Sequence, residues 1–182
     1  MSTYAAFLRG MNLGRRRISN DELRAHFEQL GCDDVRTFRA SGNVVFAATG
    51  QEPEAELGAR IETGLATALG YEVAVFLRDA SEIRALAAHR PFADSLIEAS
   101  KGKLQVVMLA AHPAARARKQ VLALASGEDR LAFGERELFW LPSGGILDSA
   151  LDFKAIGALL GSTTTRTKGT VDQIAAKYFS YG

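Results

Sequence analysis

Cysteine is nearly absent from this chain. Cys32 is the one thiol among 182 residues, which excludes an intrachain disulfide and suits a reducing compartment. An excess of charge is missing as well. The chain carries 22 Lys and Arg against 21 Asp and Glu, a formal net charge of +1. A chain basic throughout would point to nucleic acid or a membrane surface; here either role would need a local patch. Long apolar runs are also lacking. None reaches the about 20 residues of a membrane helix, so no membrane partner is expected. Met1-Ser2-Thr3-Tyr4 leads directly into a strand-like run, without the basic start and apolar stretch of a secretory signal. The expected location is cytoplasmic.

Familiar catalytic patterns are scarce too. There is no Walker-A loop, no G-x-S-x-G elbow, no H-E-x-x-H pair and no cysteine cluster. His26, His89 and His112 are scattered over a helix face, a linker and a helix start, positions that suit surface or capping roles. Cys32 has no histidine close in sequence to activate it and reads as a small, partly buried side chain. Asp148 and Asp152 are four apart near a helix start, where the helix dipole favours carboxylates without any acid–base role. No metal site is expected, catalytic residues and cofactor are unknown, and nothing marks an oligomeric state.

What is present is a clear alternation of elements, in a chain 47% hydrophobic that can bury a sizeable core. Tyr4 to Leu8 reads as a strand. Ser19 and Glu22 have capping-box spacing, and Leu23, Phe27 and Leu30 then mark one apolar helix face that Gly31 closes. Val35 to Arg39 and Val44 to Phe46 read as strands joined by a tight turn through Ser41-Gly42-Asn43. Pro53 opens a helix with Leu57, Ile61, Leu65 and Leu69 on one face; Gly58 and Gly64 each weaken it by about 1 kcal/mol relative to Ala. Val73 to Leu77 is a fourth strand, and Asp79-Ala80-Ser81-Glu82 caps a short helix. The order β-α-β-β-α-β is the ferredoxin-like pattern. Its first and third strands are antiparallel neighbours, which predicts that Arg9-Gly10 lies beside Ser41-Gly42-Asn43.

After a linker the second half begins alike. Leu104 to Leu109 reads as a strand, Pro113 to Leu124 as a helix, Leu131 to Phe133 and Glu137 to Leu141 as a hairpin, and Leu151 to Leu160 as a helix. The matching last strand is missing; Ser162 to Thr167 and a final helix stand in its place. Thr170 with Gln173 has capping spacing there, and Thr165 or Thr167 could cap instead. The expectation is an α+β protein of two ferredoxin-like (βαββαβ) halves with antiparallel sheets, the second ending in extra helices. The expected boundaries are 1–90 for the first domain, 91–102 for a linker and 103–182 for the second.

Three motifs carry a resemblance. Leu8-Arg9-Gly10-Met11-Asn12-Leu13-Gly14, then Ser41-Gly42-Asn43-Val44-Val45-Phe46, then Thr164-Thr165-Arg166 resemble, in order and spacing, the pattern of domain-of-unknown-function family 1697. Thr167-Lys168-Gly169 departs from the Asn-Trp-Asn usual after the last motif. The resemblance implies an α+β fold and carries no established activity.

The candidate site is the polar loop cluster Arg9, Gly10, Asn12, Ser41, Gly42 and Asn43, with Thr165 and Arg166 as a third segment. Arginine offers a planar fork to phosphate or carboxylate, and turn amides add oriented donors. Arg15, Arg16, Arg17 and Arg39 would raise the local field. The bland alternative is that Gly10, Gly42 and Asn43 serve backbone geometry while Arg9 and Asn12 tie loops together. These residues suggest a binding protein for an anionic small molecule or, with weaker support, nucleic acid. For nucleic acid, the aromatics Phe7, Phe38 and Phe46 would have to stack on bases, although their alternation suits a core. The rival class is an enzyme with its active site in a cleft between the two halves, the reaction being unknown.

Overall fold

Along β1 (Ser2–Arg9), Tyr4, Ala6 and Leu8 turn to one face of a sheet and Ala5 and Phe7 to the other. Both sets are buried, so the run reads as continuously apolar. The computed structural model describes residues 1–11, 17–39, 42–49, 51–125 and 129–180. The chain divides into two compact units, residues 1–85 with 174–182, and residues 86–173.

In the first unit β1 is followed by α1 (Asn20–Gln29), β2 (Asp33–Thr37), β3 (Asn43–Ala48), α2 (Glu54–Leu69), β4 (Ala74–Asp79) and the start of α3 (Ala80–Ala88). The sheet order is β2-β3-β1-β4, with every neighbouring pair antiparallel. Ser19 caps α1 in a full capping box: the Glu22 N–H donates to its hydroxyl at 3.2 Å, and its own N–H donates to the Glu22 carboxylate at 2.7 Å. That bond holds the Glu22 carboxyl below its ordinary value. Asp79 and Glu82 repeat the device at α3, with exchanges at 2.8 and 2.9 Å.

The core of this unit sits between β1, β3 and β4 on one side and α1 and α2 on the other. Phe46 is at its centre, stacked on Tyr4 at 5.8 Å and tilted against Phe27 at 5.4 Å. Gly64 leaves room on α2 for the Leu30 side chain, which a Cβ there would overlap. Arg60 of α2 donates to the carbonyl of Leu30 and pairs with Glu52, fastening α1 to α2. The helix weakened by two glycines is thus held by packing. The outer edge of β4 is blunted: Glu62 accepts the Val75 N–H at 2.8 Å.

The second unit carries α4 (Asp94–Ala99), β5 (Gln105–Leu109), α5 (Ala115–Leu122), β6 (Arg130–Phe133), β7 (Glu137–Leu141), α6 (Phe153–Leu160), β8 (Thr163–Thr167) and the start of α7 (Lys168–Tyr178). Its sheet order, β6-β7-β5-β8, repeats that of the first, again antiparallel throughout. Val107, Leu109, Leu138, Trp140, Val121 and Ile156 form its core.

One sequence expectation is corrected. The second half does not lack its last strand: β8 pairs with β5 from Gln105↔Thr167 to Leu109↔Thr163. Thr-Thr-Thr-Arg-Thr has no apolar alternation to announce a strand. Its β-branched residues fit the pleat, and only pairing with β5 defines it. α7 then starts at Lys168, and the Thr170 N–H donates to the Thr167 hydroxyl at 3.2 Å, so Thr167 acts as the cap. The segment 91–102 carries α4, and residues 174–182 group with the first unit. Phe38 and Tyr178 meet there edge to face at 6.3 Å.

Candidate functional site

Two turns meet at one rim of the first sheet. Gly10 and Gly42 both take left-handed backbone, with φ of 81° and 69°. The Leu8 N–H donates to the Gly42 carbonyl at 2.8 Å. A Cβ on Gly42 would lie 3.1 Å from the Leu8 Cβ and 3.2 Å from the Met11 Cγ. The loop after β1 and the β2–β3 hairpin are therefore in contact, as strand order predicted. Arg9 is exposed at this rim. Asn12 and Ser41, like Arg15 and Arg16, lie outside the described residues.

Asn43 is only 1% exposed. Its side-chain amide donates to the Phe38 carbonyl at 3.0 Å, while the Phe38 N–H donates to the Asn43 carbonyl at 2.9 Å. Both bonds close the hairpin. Thr165 and Arg166 belong to β8 in the second unit and, as strand neighbours, project to opposite faces of the sheet. Arg166 donates to the Thr164 hydroxyl and the Thr165 carbonyl, each at 2.9 Å. Burial pushes its guanidinium down to about 10.

Of the aromatics considered for base stacking, Phe7 and Phe46 are fully buried. Phe38 is half-buried and engaged by cations, with Arg39 Cζ 5.5 Å and Lys177 Nζ 5.9 Å from its centroid. Asp152 caps α6, accepting the Ala155 N–H at 2.9 Å; the Asp148 side chain lies outside the described residues. Burial pushes the Cys32 thiol up to about 11, so it is a poor nucleophile. Among the described residues no three His, Cys, Asp or Glu side chains are grouped to hold a metal, and no helix is long and apolar enough to cross a membrane.

The model of the family DUF1697, described as a protein of unknown function, matches residues 1–139. The chain belongs to that family. Both motifs at the rim lie within the matched stretch of this DUF1697 chain, whereas Thr164-Thr165-Arg166 lies beyond it. Among solved structures it is similar to the conserved bacterial protein SP0830 of Streptococcus pneumoniae. The two are 20% identical, each is covered over 97% of its length, and the TM-score is 0.73. That likeness concerns the fold. A search of curated proteins gives no match.

The first unit of this DUF1697 chain also holds a cleft of about 660 Å³ that sequence reasoning missed. It lies between α1, β2 and the end of α7, and is lined by Arg24, Glu28, Asp34, Arg36, Lys177 and Tyr178 among others. β2 is the edge strand here, bulged between Asp33 and Arg36, with Asp34 at φ 48°. The one signal in the sequence was two cation–aromatic neighbours, Phe38-Arg39 and Lys177-Tyr178, about 140 positions apart. Only the tertiary fold brings them together.

Proposed function

We propose that this protein binds an anionic ligand, a small molecule or a nucleic-acid phosphate, in the cytoplasm. Its contact surface is the rim at Arg9, Gly10 and Gly42. The observation that carries this reading is the contact of the two turns, with Leu8 N–H on Gly42 O at 2.8 Å. It puts the exposed Arg9 beside Gly42, which is held in left-handed conformation. An arginine fork at such a turn suits the paired oxygens of a phosphate or carboxylate. Asn43 contributes by holding the hairpin shut, not by direct contact.

Arg166 is proposed as a second anion contact, in the second unit. Its bonds to Thr164 and Thr165 fix the guanidinium in a mostly buried place, where a bound anion would offset the desolvation. Thr165 enters through its carbonyl, which accepts from Arg166.

The test is an amide NMR titration of the full chain with inorganic phosphate, pyrophosphate and citrate. Saturable shifts at Arg9, Gly10 and Gly42 are expected, weakened about tenfold in Arg9→Ala, a loss of about 1.4 kcal/mol. Silence at these amides across the whole panel at millimolar concentration overturns the proposal.

A further inference from the structure

We propose that the cleft between α1, the edge strand β2 and the end of α7 binds a nucleoside phosphate. The inference uses none of the rim residues and stands apart from the reading above.

The cations of the cleft differ in how they are paired. Arg24 is committed to its own helix, 3.3 Å from Asp21 and 3.8 Å from Glu28. Arg36 and Lys177 are different. Both are exposed, and neither has a carboxylate within ion-pair distance among the described residues. Two cations from distant parts of the chain thus line one cleft with no carboxylate of the described residues within ion-pair distance.

Lys177 is held beside two rings. Its ammonium lies 5.2 Å from the Tyr178 centroid and 5.9 Å from that of Phe38. The rings stand edge to face at 6.3 Å. A lysine placed near two rings is drawn to their faces and has given up part of its rotamer freedom before any ligand arrives. It is a preorganised anion contact, and the half-buried Tyr178 beside it offers apolar ring surface for a flat heterocycle.

The cleft also disfavours some anions. Glu28 and Asp34 share the lining with the cations. A continuous polyanion laid along the cleft would bring phosphates against both carboxylates. A bare phosphate would use the cations but leave the ring and the rest of the volume empty. A mononucleotide has one anionic end and one neutral end bearing hydroxyl and amino donors. The first suits Arg36 and Lys177, the second suits Glu28 and Asp34, and the base suits Tyr178. The cleft, of about 660 Å³, is open to solvent along its outer side, which leaves room for the sugar and phosphates.

The experiment is an amide NMR titration of the full chain with ATP, GTP and UTP, compared with inorganic phosphate and a short oligouridine. Saturable shifts are expected at Arg36, Thr37, Lys177 and Tyr178. Arg36→Ala, Lys177→Gln and Tyr178→Leu should each weaken binding at this cleft about tenfold, with the rest of the spectrum unchanged. Inorganic phosphate should bind this cleft at least about tenfold more weakly than the nucleotides. No saturable shift at millimolar nucleotide overturns the proposal. So does phosphate binding as tightly as nucleotide, or the oligouridine binding more tightly than either. Nucleotide shifts confined to Arg9, Gly10 and Gly42 would overturn it too, while favouring the rim.

Discussion

Replacing Gly42 with alanine tests the contact on which the rim depends. Two separate costs are expected. The first is conformational: an L-residue at φ 69° pays about 1–2 kcal/mol for left-handed backbone. The second is steric. The new Cβ would sit 3.1 Å from the Leu8 Cβ, 3.2 Å from the Met11 Cγ and 3.3 Å from the Leu8 carbonyl oxygen. Two of these atoms are fixed to the backbone of β1 and cannot swing away. The hairpin must shift instead, against the 2.8 Å bond from Leu8 N to Gly42 O, at a further cost of about 1–2 kcal/mol. Gly31 is the internal control. Its φ is 79°, yet a Cβ there meets nothing within 4 Å. Gly31→Ala should therefore lose only the first cost, and Gly42→Ala roughly twice as much. At about 2–4 °C per kcal/mol for a chain of this size, the two melting temperatures should separate by several degrees.

The probe must report on the correct unit. Trp140 is the sole tryptophan and lies in the second unit, so its fluorescence would follow the other half of the chain. Native-state hydrogen exchange at the Leu8 and Phe38 amides reads the rim directly, and denaturant unfolding followed by far-UV circular dichroism gives the total. Equal losses for the two variants would refute the reasoning, because the contact between the turns would then carry no energy.

Three other outcomes are expected. Gly58→Ala should stabilise the first unit by up to about 1 kcal/mol, since its Cβ would make an ordinary 3.7 Å contact with Leu77; Gly64→Ala should destabilise it, since Leu30 occupies that space. Paired denaturant curves check both, and a gain at Gly64 would contradict the packing of α1 on α2. The Glu22 carboxyl is held below its ordinary value by the Ser19 N–H, so its contribution is fully present above the carboxylate range and lost as pH falls through the lowered folded value. Glu22→Gln should accordingly flatten the acid limb of a stability–pH curve, and an unchanged limb would count against the capping box. The Cys32 thiol, raised to about 11, favours folding below the ordinary thiol value and loses that contribution as pH rises through about 11. Iodoacetamide near about pH 8 should leave native Cys32 unmodified and label it on denaturation; fast native labelling would contradict its burial.

The first unit was largely legible because its local signals agree. Capping pairs, glycine stops and apolar spacing all point to the same elements. Legibility failed where a signal is not local. β8 is a strand only because β5 pairs with it. Arg39 reads as the end of a strand, yet it sits at φ 58° in the turn, where the Asn43 side chain draws the hairpin closed.

From its own pattern the chain determined that two β-α-β-β-α repeats would form, and that the first repeat would bring Arg9-Gly10 beside Gly42. Antiparallel neighbours leave such turns at one rim, so strand order alone sufficed. The cleft was decided elsewhere. No periodicity within residues 24–37 announces Lys177 and Tyr178. Their arrival depends on the end of α7 grouping with the first unit. Side-chain spacing encodes which face of an element is buried; it does not encode which distant element comes to lie against that element's edge.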